Sequence, residues 1–245
     1  MIKQGKPVSL SKRLWTLADM LSPGGRVADV GCDHGFLDVY LVQTGKMDGA
    51  LAMDVRKGPL AAAAAHVKEA GLSDRIETRL SDGLGAFHVG EAEKLVCAGM
   101  GGPLMQRILT DSPEKTESFQ EMILQPQSEL CEFRAFLREK GYRIVEERIL
   151  VEDGKYYFPM KVVSGGVTEE EPSDEGRREI YDRYGKGLIL KKDPLLLEYL
   201  KEQKRIMEDI LTQLRAQDAS EGRMRRLREV ENEWKLLRKA MELME

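Results

Sequence analysis

The chain has 245 residues, of which 42% are hydrophobic and 33% charged, and its formal net charge is −4. This length allows one domain with a substantial core and a smaller appendage. The slightly negative charge excludes a global basic field, so nucleic-acid binding would have to depend on local basic patches.

The three cysteines, Cys32, Cys97 and Cys131, are far apart and lack Cys-x-x-Cys spacing. We therefore expect reduced thiols packed as small hydrophobic groups, and no metal site. No apolar run approaches the length that crosses a bilayer, and the N-terminus lacks the apolar segment of a secretory leader. These features predict a cytoplasmic protein that is not bound to a membrane.

Up to about residue 163, short apolar strands alternate with amphipathic helices. A helix is predicted over residues 10–21, with Ser9 or Ser11 as its N-cap. Strands are predicted over residues 26–30, 49–54, 76–80, 95–98, 122–125, 142–151 and 156–163. Further helices are predicted over residues 35–43, 58–70, 103–110 and 130–140. This alternation predicts a mostly parallel, seven-stranded sheet covered by helices on both faces.

The last two predicted strands are joined by four residues that contain Asp153 and Gly154, a pair that favours a tight turn. The sheet is therefore expected to end in an antiparallel hairpin. A parallel sheet with such a terminal hairpin is typical of class I (Rossmann-like) methyltransferases, an α/β fold, and differs from the sheet of dinucleotide-binding dehydrogenases.

The C-terminal region has a different, purely helical pattern. Residues 164–175 are Gly-, Ser- and Glu-rich and are predicted to be a linker between a domain over 1–163 and a helical domain over 176–245. Apolar residues then recur at heptad spacing in two runs: Leu196, Leu200, Met207, Ile210 and Leu214, then Leu227, Val230, Trp234, Leu237, Met241 and Met244. The pattern predicts a coiled-coil hairpin. Such a hairpin can close on itself or dimerise; the sequence leaves both open, with the monomer preferred.

A glycine turn follows the first predicted strand, which ends near Asp29. Gly31 begins the turn, but Asp33 stands where the dinucleotide fingerprint has its second glycine, so a pyrophosphate would be repelled. A carboxylate suits a ligand with a cationic amine and sulfonium, which indicates S-adenosylmethionine. Asp29 is expected to orient the turn. His34 either contacts a ligand or caps the following helix.

Two further acidic positions follow the next strands. Asp54 ends the second strand, where a carboxylate can hold a ribose diol, although an N-cap is the alternative. Asp82 and Gly83 follow the third strand, where a carboxylate can accept the exocyclic amine of adenine. An Asp-Gly pair is also a common turn.

After the fourth predicted strand come Gly99, Met100, Gly101 and Gly102. Three glycines in four positions allow positive φ and a very close approach of the backbone to another group. We expect this loop to lie at the substrate. Gln125 ends the fifth strand and offers both a donor and an acceptor to a base edge, or is simply a strand terminus.

Basic residues cluster in two places. Lys12 and Arg13 lie near the N-terminus, and Arg223 and Arg226 belong to an arginine cluster in the helical tail. Phosphate contact is one interpretation, and a salt-bridged helix exterior is the other, because glutamates are interleaved with the tail arginines.

Five segments in this order resemble one known family: Leu-Ser-Lys-Arg-Leu at 10–14, Ala-Asp-Val-Gly-Cys-Asp-His-Gly at 28–35, Ala-Gly-Met-Gly-Gly at 98–102, Ile-Leu-Gln-Pro at 123–126 and Glu-Asp-Gly-Lys-Tyr at 152–156. It is the bacterial tRNA adenine-N1 methyltransferase family that modifies adenine 22 (the TrmK family). The resemblance implies a class I methyltransferase fold, S-adenosylmethionine as donor, tRNA as partner and a helical tail that helps to hold tRNA.

Position by position, the resemblance places Gly31, Asp33, His34 and Asp54 at the donor. It also places residues 82–83 at the donor's adenine and the loop 99–102 in catalysis. Cys32, Gln127 and Phe158 depart from the residues common in the family, which affects the expected acceptor pocket. Three alternatives stay open: another RNA as acceptor, a small-molecule acceptor, or a non-catalytic tRNA-binding protein. A dehydrogenase is disfavoured, because Asp33 replaces the second glycine of the dinucleotide fingerprint.

Overall fold

The computed structural model describes residues 8–165, 174–216 and 220–245. The chain divides into two compact units between residues 167 and 168. The strands are β1 Arg26–Val30, β2 Gly49–Asp54, β3 Ile76–Leu80, β4 Lys94–Met100, β5 Glu121–Pro126, β6 Tyr142–Glu147, β7 Leu150–Glu152, β8 Lys155–Tyr157 and β9 Met160–Ser164. The helices are α1 Lys12–Met20, α2 Phe36–Gln43, α3 Lys57–Glu69, α4 Gly102–Asp111, α5 Pro113–Glu117, α6 Leu130–Glu139, α7 Glu175–Tyr184, α8 Lys186–Leu190, α9 Pro194–Ala216 and α10 Glu221–Met244.

The first unit is built on a seven-stranded sheet in the order β3-β2-β1-β4-β5-β9-β6. The pairs among β1 to β5 are parallel, whereas β9 is antiparallel to both β5 and β6. This confirms the predicted sheet and its antiparallel end. The bounds of β1, β2 and β3 are those predicted, because each apolar run is flanked by turn residues.

The two long strands predicted at the end of the sheet are wrong in extent, since each one is interrupted. The register between β6 and β9 shifts at residues 144 to 146, and β7 and β8 pair with each other in a separate two-stranded sheet. Asp153 and Gly154, at the tip of β7 and β8, both have positive φ, +49° and +72°. That is the backbone of a two-residue hairpin turn, as the Asp-Gly pair predicted.

Two apolar clusters cover the two faces of the sheet. Alternate residues of β4 point to opposite faces, so Leu95 and Cys97 belong to one cluster and Val96 to the other. α4 and α6 pack on the first face, while α1, α2 and α3 pack on the second. Cys32, Cys97 and Cys131 are all reduced, and the first two are buried.

α1 is fixed against the sheet at both of its ends. Ser11 is the N-cap, and its hydroxyl accepts from the Leu14 N–H. After the helix, the buried Lys94 ammonium donates to the carbonyls of Ser22 at 2.6 Å and Pro23 at 3.2 Å, and to that of Gly24. The helix therefore holds its N-terminal residues in a defined place.

The second unit consists of α7 to α10. α9 and α10 pack against each other, and α10 also packs against α7 and α8, so the unit is larger than the two-helix hairpin expected. Leu196 and Leu200 are fully buried, whereas Met207, Ile210 and Leu214 are only half-buried. Of the predicted linker, residues 166–173 lie outside the described residues; Ser164 ends β9 and Glu175 begins α7. Within the described ranges, no helix is long and apolar enough to cross a bilayer.

We predict that the buried ion pair between Arg134 on α6 and Glu147 on β6 is required as a pair. The Arg134 Nη2 and Glu147 Oε1 atoms are 2.6 Å apart, and both side chains are almost fully buried. Arg134→Met should lower the free energy of unfolding by about 3–5 kcal/mol, because it leaves a buried carboxylate without a counterion. Urea denaturation measures the loss, and a second change, Glu147→Leu, should restore most of it. A double variant as unstable as Arg134→Met would contradict this explanation.

Candidate functional site

The carboxyl ends of the central strands bring most of the predicted site residues to one edge of the sheet. The strands β2, β1, β4 and β5 are neighbours in the sheet. Asp54 lies at the end of β2, the turn from Gly31 follows β1, the loop from Gly99 lies at the end of β4, and Gln125 lies near the end of β5. Ligands of open α/β sheets bind at this edge, where loops diverge to either side. The predicted positions therefore lie where a site can form.

The glycine turn (residues 31–35) has a backbone that suits glycine. Gly31 has φ +80°, and the N–H groups of Gly31 and Cys32 both donate to the Met53 carbonyl, at 2.8 and 3.0 Å. A Cβ on Gly31 would lie 2.3 Å from the Met100 Cε atom, so a larger residue would require the end of the methionine side chain to move. Asp33 also has positive φ, at +51°, which aspartate tolerates better than most residues.

Two of the predicted carboxylates meet in an acidic corner formed by Asp33, Asp54 and Arg56. Asp54 is buried, and its Oδ1 accepts from the Arg56 N–H at 2.7 Å. The exposed Arg56 guanidinium lies 3.6 Å from Asp54 Oδ1 and 3.8 Å from Asp33 Oδ1. Two carboxylates share one arginine, so the corner keeps a negative charge and fits a cationic ligand better than an anionic one.

Beneath the turn lies a pair of buried carboxyl groups, Asp29 on β1 and Asp38 on α2. Neither carboxyl oxygen of Asp38 has a hydrogen-bond partner among the described residues, and the negative charge of Asp29 favours the protonated form of Asp38. Burial raises the pKa of Asp38 well above its usual value, and burial raises that of Asp29 to about 7. Asp29 lies near the end of β1, just before the turn that it is predicted to orient. Its buried neighbour Asp38 was not predicted, because an acid in the first turn of a helix is usually solvated.

His34 belongs to an aromatic cluster with Phe36 and His66. The Phe36 and His66 rings are stacked with centroids 4.5 Å apart, and His66 Nδ1 lies 2.9 Å from the His34 carbonyl oxygen. His34 itself is half-exposed and 3.7 Å from Asp33. The cluster joins the ends of α2 and α3 beside the turn. Sequence reasoning missed Phe36 and His66, because neither belongs to a recognisable motif.

A small cavity of ≈ 70 Å³ opens beside the glycine turn. It is lined by Asp29, Gly31, Cys32, Asp33, His34 and Phe36 from the turn side, and by Arg13, Leu14, Leu17, Leu37, Val96 and Ala98 from α1, α2 and β4. The combination of acidic groups, apolar walls and one arginine fits a small, partly cationic ligand. S-adenosylmethionine has these properties, with its amine and sulfonium, and Asp54 stands at the next strand for a diol.

The glycine loop (residues 99–102) forms a bulge at the end of β4. The register between β4 and β5 shifts between Ala98 and Met100, and Gly99 has φ +80° at this shift. The Met100 carbonyl accepts from the Gln127 N–H at 2.8 Å. A Cβ on Gly102 would lie 2.7 Å from the Ser128 carbonyl oxygen. The loop is therefore packed tightly against the segment after β5 and keeps one shape.

Gln125 does not have the exposure that its expected contact with a base edge requires. Its side chain is fully buried; its Oε1 accepts from Arg13 Nη1 at 3.3 Å, and its Nε2 donates to the Pro126 carbonyl at 3.2 Å. Its Oε1 therefore holds Arg13, and its Nε2 is used by the Pro126 carbonyl. The strand position was predicted correctly, but the direction of the side chain depends on which neighbours bury it.

Arg13 lies within the site, whereas Lys12, its neighbour in sequence, is exposed to solvent. The Arg13 guanidinium lines the cavity and lies 5.8 Å from the centroid of the Tyr157 ring. In the helical unit, Arg223 Nη1 donates to the Leu214 carbonyl, and Arg226 forms an ion pair with Glu229 at 3.1 Å. Both tail arginines thus have protein partners.

Asp82 is exposed after β3 and is engaged by Arg107. Arg107 Nη2 donates to Asp82 Oδ1 at 2.8 Å, which lowers the pKa of Asp82. The following Gly83 has φ +54° and packs beneath Ile108, so the Asp-Gly pair does form a turn. A purine amine at this carboxylate would have to share it with the arginine.

Comparison with known proteins gives one family match and several close structural similarities. Residues 10–160 match the model of a methyltransferase domain family. The chain is 37% identical over 158 residues to the tRNA (adenine(22)-N(1))-methyltransferase of Bacillus subtilis (strain 168), an alignment that spans 64% of this chain and 66% of that enzyme, just under two thirds of its length.

The structural similarities cover both units. The crystal structure of the B. subtilis tRNA methyltransferase TrmK is 30% identical to this chain, covers 96% of it with 99% of its own length, and has a TM-score of 0.82. A Streptococcus pneumoniae protein, crystallised in complex with S-adenosyl-L-methionine, is 28% identical; the alignment covers 95% of this chain and 100% of that one, with a TM-score of 0.81.

We predict that the carboxyl pair makes stability fall as the pH rises. A folded-state pKa of about 7 for Asp29, against an ordinary value of 3.8, means that the folded state holds a proton which the unfolded chain has released. The contribution is therefore fully present below about pH 4 and is lost as the pH rises through 7, with a slope of at most ~1.4 kcal/mol per pH unit for one proton.

The variant Asp38→Asn tests this, because the amide replaces one of the two buried carboxyl groups and does not titrate. Relative to the wild type, it should become progressively more stable between pH 5 and pH 8 in denaturant titrations. Asp74→Asn removes an exposed carboxylate and is the control, for which no such trend is expected. A stability difference for Asp38→Asn that does not change with pH would refute raised pKa values in this pair.

Proposed function

Because the chain belongs to the bacterial TrmK family of tRNA (adenine(22)-N(1))-methyltransferases, we propose that it transfers the methyl group of S-adenosylmethionine to N1 of adenine 22 in tRNA. The observation that supports the proposal is that the glycine turn, which lies beside the acidic corner, meets the glycine loop at one edge of the sheet. Gly31 and Met100 are in direct contact there, so a donor in the corner would lie beside a substrate at the loop.

The donor site is proposed to consist of the glycine turn and the acidic corner. Asp33 and His34 face the amino-acid end of the ligand, Asp54 faces the ribose diol, and Asp29, buried near the end of β1, orients the turn. When bound, S-adenosylmethionine supplies a methyl group on a sulfonium. Asp33 would then exchange its long contact with the exposed Arg56 for one with the ligand's cationic amine.

Asp82 and Gly83 are proposed to mark the adenine side of the same ligand. Asp82 is exposed and oriented by Arg107, so its carboxylate has a defined direction at the end of β3. The partner arginine reduces the acceptor strength that remains for a base amine. This contact is therefore expected to contribute less to affinity than the contacts of Asp33 and Asp54.

The acceptor side is proposed to consist of the glycine loop. Gly99, Met100, Gly101 and Gly102 present backbone groups rather than side chains, and their packing against residues 127–129 holds those groups in place. The lone pair of adenine N1 forms the new bond to carbon as the carbon–sulfur bond breaks. The positive charge moves from sulfur to the adenine ring, and no proton has to be removed.

Catalysis on these terms is mainly positioning. A site that aligns N1 with the methyl carbon lowers the barrier without a strong general base. Adenine N1 lies on the pairing edge, so the base must be extruded from the tRNA before it reaches the loop. Gln125 is proposed to act through Arg13 rather than by touching the adenine, which revises its expected role.

The helical unit is proposed to bind tRNA outside the catalytic pocket, as an independent domain over residues 176–245 joined by a linker at 164–175. Arg223, Arg226 and the exposed Lys12 are the candidate phosphate contacts. Because α9 and α10 bury apolar residues against each other, we favour a monomer. The proposed substrate implies that the protein acts in the cytoplasm.

Mass spectrometry of tRNA tests the proposal directly. We expect incubation with S-adenosylmethionine to add one methyl group to a nucleoside of unmodified tRNA and to place it at position 22 as N1-methyladenosine. Separate reactions with ribosomal RNA and with small-molecule acceptors should give no product. Methylation of only those acceptors, or binding of tRNA without methyl transfer, would favour the alternative functions.

Two substitutions should separate donor binding from transfer. Asp33→Ala removes a carboxylate of the acidic corner and should weaken S-adenosylmethionine affinity, by roughly tenfold for a charge-assisted contact, as measured by calorimetry. Gly101→Val should abolish turnover and spare donor binding, because its Cβ would already lie 3.1 Å from Ser128 Oγ. Asp74→Ala is the matched surface control for the first change. Loss of donor binding in Gly101→Val would contradict the assigned division.

A further inference from the structure

Arg13 has three contacts that hold it in place, two to its guanidinium and one to its backbone. Gln125 Oε1 accepts from its Nη1 at 3.3 Å, the Tyr157 ring lies 5.8 Å from its Cζ, and the Glu152 carboxylate accepts from the Arg13 backbone N–H at 2.9 Å. These partners come from β5, from β8 and from β7, far along the chain from α1. Because the side chain is already ordered, it has little further conformational entropy to lose when it binds a ligand.

The Arg13 guanidinium forms no ion pair with the described residues of the first unit, although the charge of the buried Asp29 acts on it at longer range. Its hydrogen bond goes to a neutral amide, and the nearby carboxylate of Glu152 accepts from its backbone rather than from its guanidinium. The two remaining guanidinium nitrogens, Nε and Nη2, donate to no described residue. A held cation with free donors is a receptor for an anion.

The space in front of this arginine is kept open by Gly99. A Cβ at Gly99 would lie 3.7 Å from Arg13 Nη1 and 3.8 Å from Gln127 Nε2, with nothing nearer. Gln127 is exposed, and its side chain donates to no described residue. Arg13 Nη1 and Gln127 Nε2, from different elements, thus face the same open space above Gly99. An oxygen about 1 Å from this Cβ position would reach hydrogen-bond distance.

The chemistry of the proposed reaction decides what kind of oxygen fits. Positive charge moves onto the adenine during methyl transfer, so a permanent cation against the reacting ring would oppose the reaction. A phosphodiester keeps its negative charge throughout, and a guanidinium matches its geometry. Extrusion of a base also rotates the backbone on either side of it. A contact with a neighbouring phosphate would therefore stabilise the extruded state.

We propose that Arg13 and Gln127 form a subsite over Gly99 for a single phosphodiester of the RNA backbone next to the target nucleotide. This inference rests on the proposed function. The subsite offsets the repulsion between RNA and the carboxylates of the acidic corner. Its donors lie on α1 and after β5, so it is separate from the basic residues of the helical tail.

The test compares Arg13→Ala, Arg13→Lys and Gln127→Ala with the wild type. Arg13→Ala should weaken tRNA binding by roughly tenfold or more and should reduce the slope of log Kd against log salt by about one. Arg13→Lys should recover the salt slope and only part of the affinity. Gln127→Ala should weaken binding without changing the slope, since it removes no charge. Lys140→Ala, an exposed cation at the end of α6, is the control and should leave both quantities unchanged.

A second measurement identifies the phosphate itself. Synthetic tRNA with a neutral methylphosphonate at one linkage beside the target should bind the wild type as weakly as unmodified tRNA binds Arg13→Ala. The same linkage should cause no further loss in Arg13→Ala. Equal losses at every linkage, or additive losses in the variant, would overturn the proposal.

Two other results are also decisive. If Arg13→Ala lowers kcat while tRNA affinity and salt slope stay unchanged, Arg13 contacts the base and the proposal is wrong. If it instead lowers S-adenosylmethionine affinity in calorimetry, Arg13 acts through Asp29 and the proposal is again wrong. Failure of the wild type to methylate tRNA would refute the proposed function, whereas an active wild type with an unaffected Arg13→Ala variant would refute only the subsite.

Discussion

The contact between Gly31 and Met100 is the constraint on which the site depends. The two residues end the adjacent strands β1 and β4, and a Cβ on Gly31 would lie 2.3 Å from the methionine methyl. With glycine there, the glycine turn and the glycine loop pack directly together. In the proposed reaction this packing would place a donor in the acidic corner beside an acceptor at the loop, which is the arrangement that direct group transfer needs.

The distribution of charge around this contact is uneven. On one side lie Asp33 and Asp54, with the buried pair of Asp29 and Asp38 beneath them. On the other side stands Arg13, whose guanidinium forms no ion pair with a carboxylate of the described residues. The acidic side suits a cationic donor, and the basic side suits an anionic backbone. In the proposed reaction a positive charge moves from sulfur to adenine, and the proposed phosphate contact would hold the Arg13 charge away from the adenine.

The scaffold that holds Arg13 extends well outside the sheet edge. Lys94 binds the carbonyls that follow α1, and the β7–β8 hairpin supplies Glu152 at the other end of the helix. The hairpin is a small two-stranded sheet of its own, formed because the terminal strands break. Because the strands break, the β7–β8 hairpin covers the start of α1 and places Tyr157 beside the Arg13 guanidinium.

Much of the fold follows from local sequence patterns. The apolar runs of β1, β2 and β3 are bounded by turn residues, and each bound can be read residue by residue. The same patterns did not predict where the last strands break, because a bulge and the separate pairing of β7 with β8 depend on partners from elsewhere in the sheet. The heptads of the tail predicted α9 and α10. The packing of α10 with α7 and α8 could not be predicted, because a heptad pattern does not indicate which other helices it contacts.

For the site, the sequence by itself determined the glycine turn, the acidic residues after β1 and β2, and the glycine loop. Each of these is a run of neighbours whose chemistry is local: a strand end, a positive φ, a carboxylate. Only the tertiary structure decided that Gln125 is buried, that burial raises the pKa of Asp38, and that Arg13 lies at the loop rather than at the surface. The reason is physical, because burial, protonation and ion pairing depend on groups brought together by folding, and residues 112 positions apart leave no trace of their contact in local spacing.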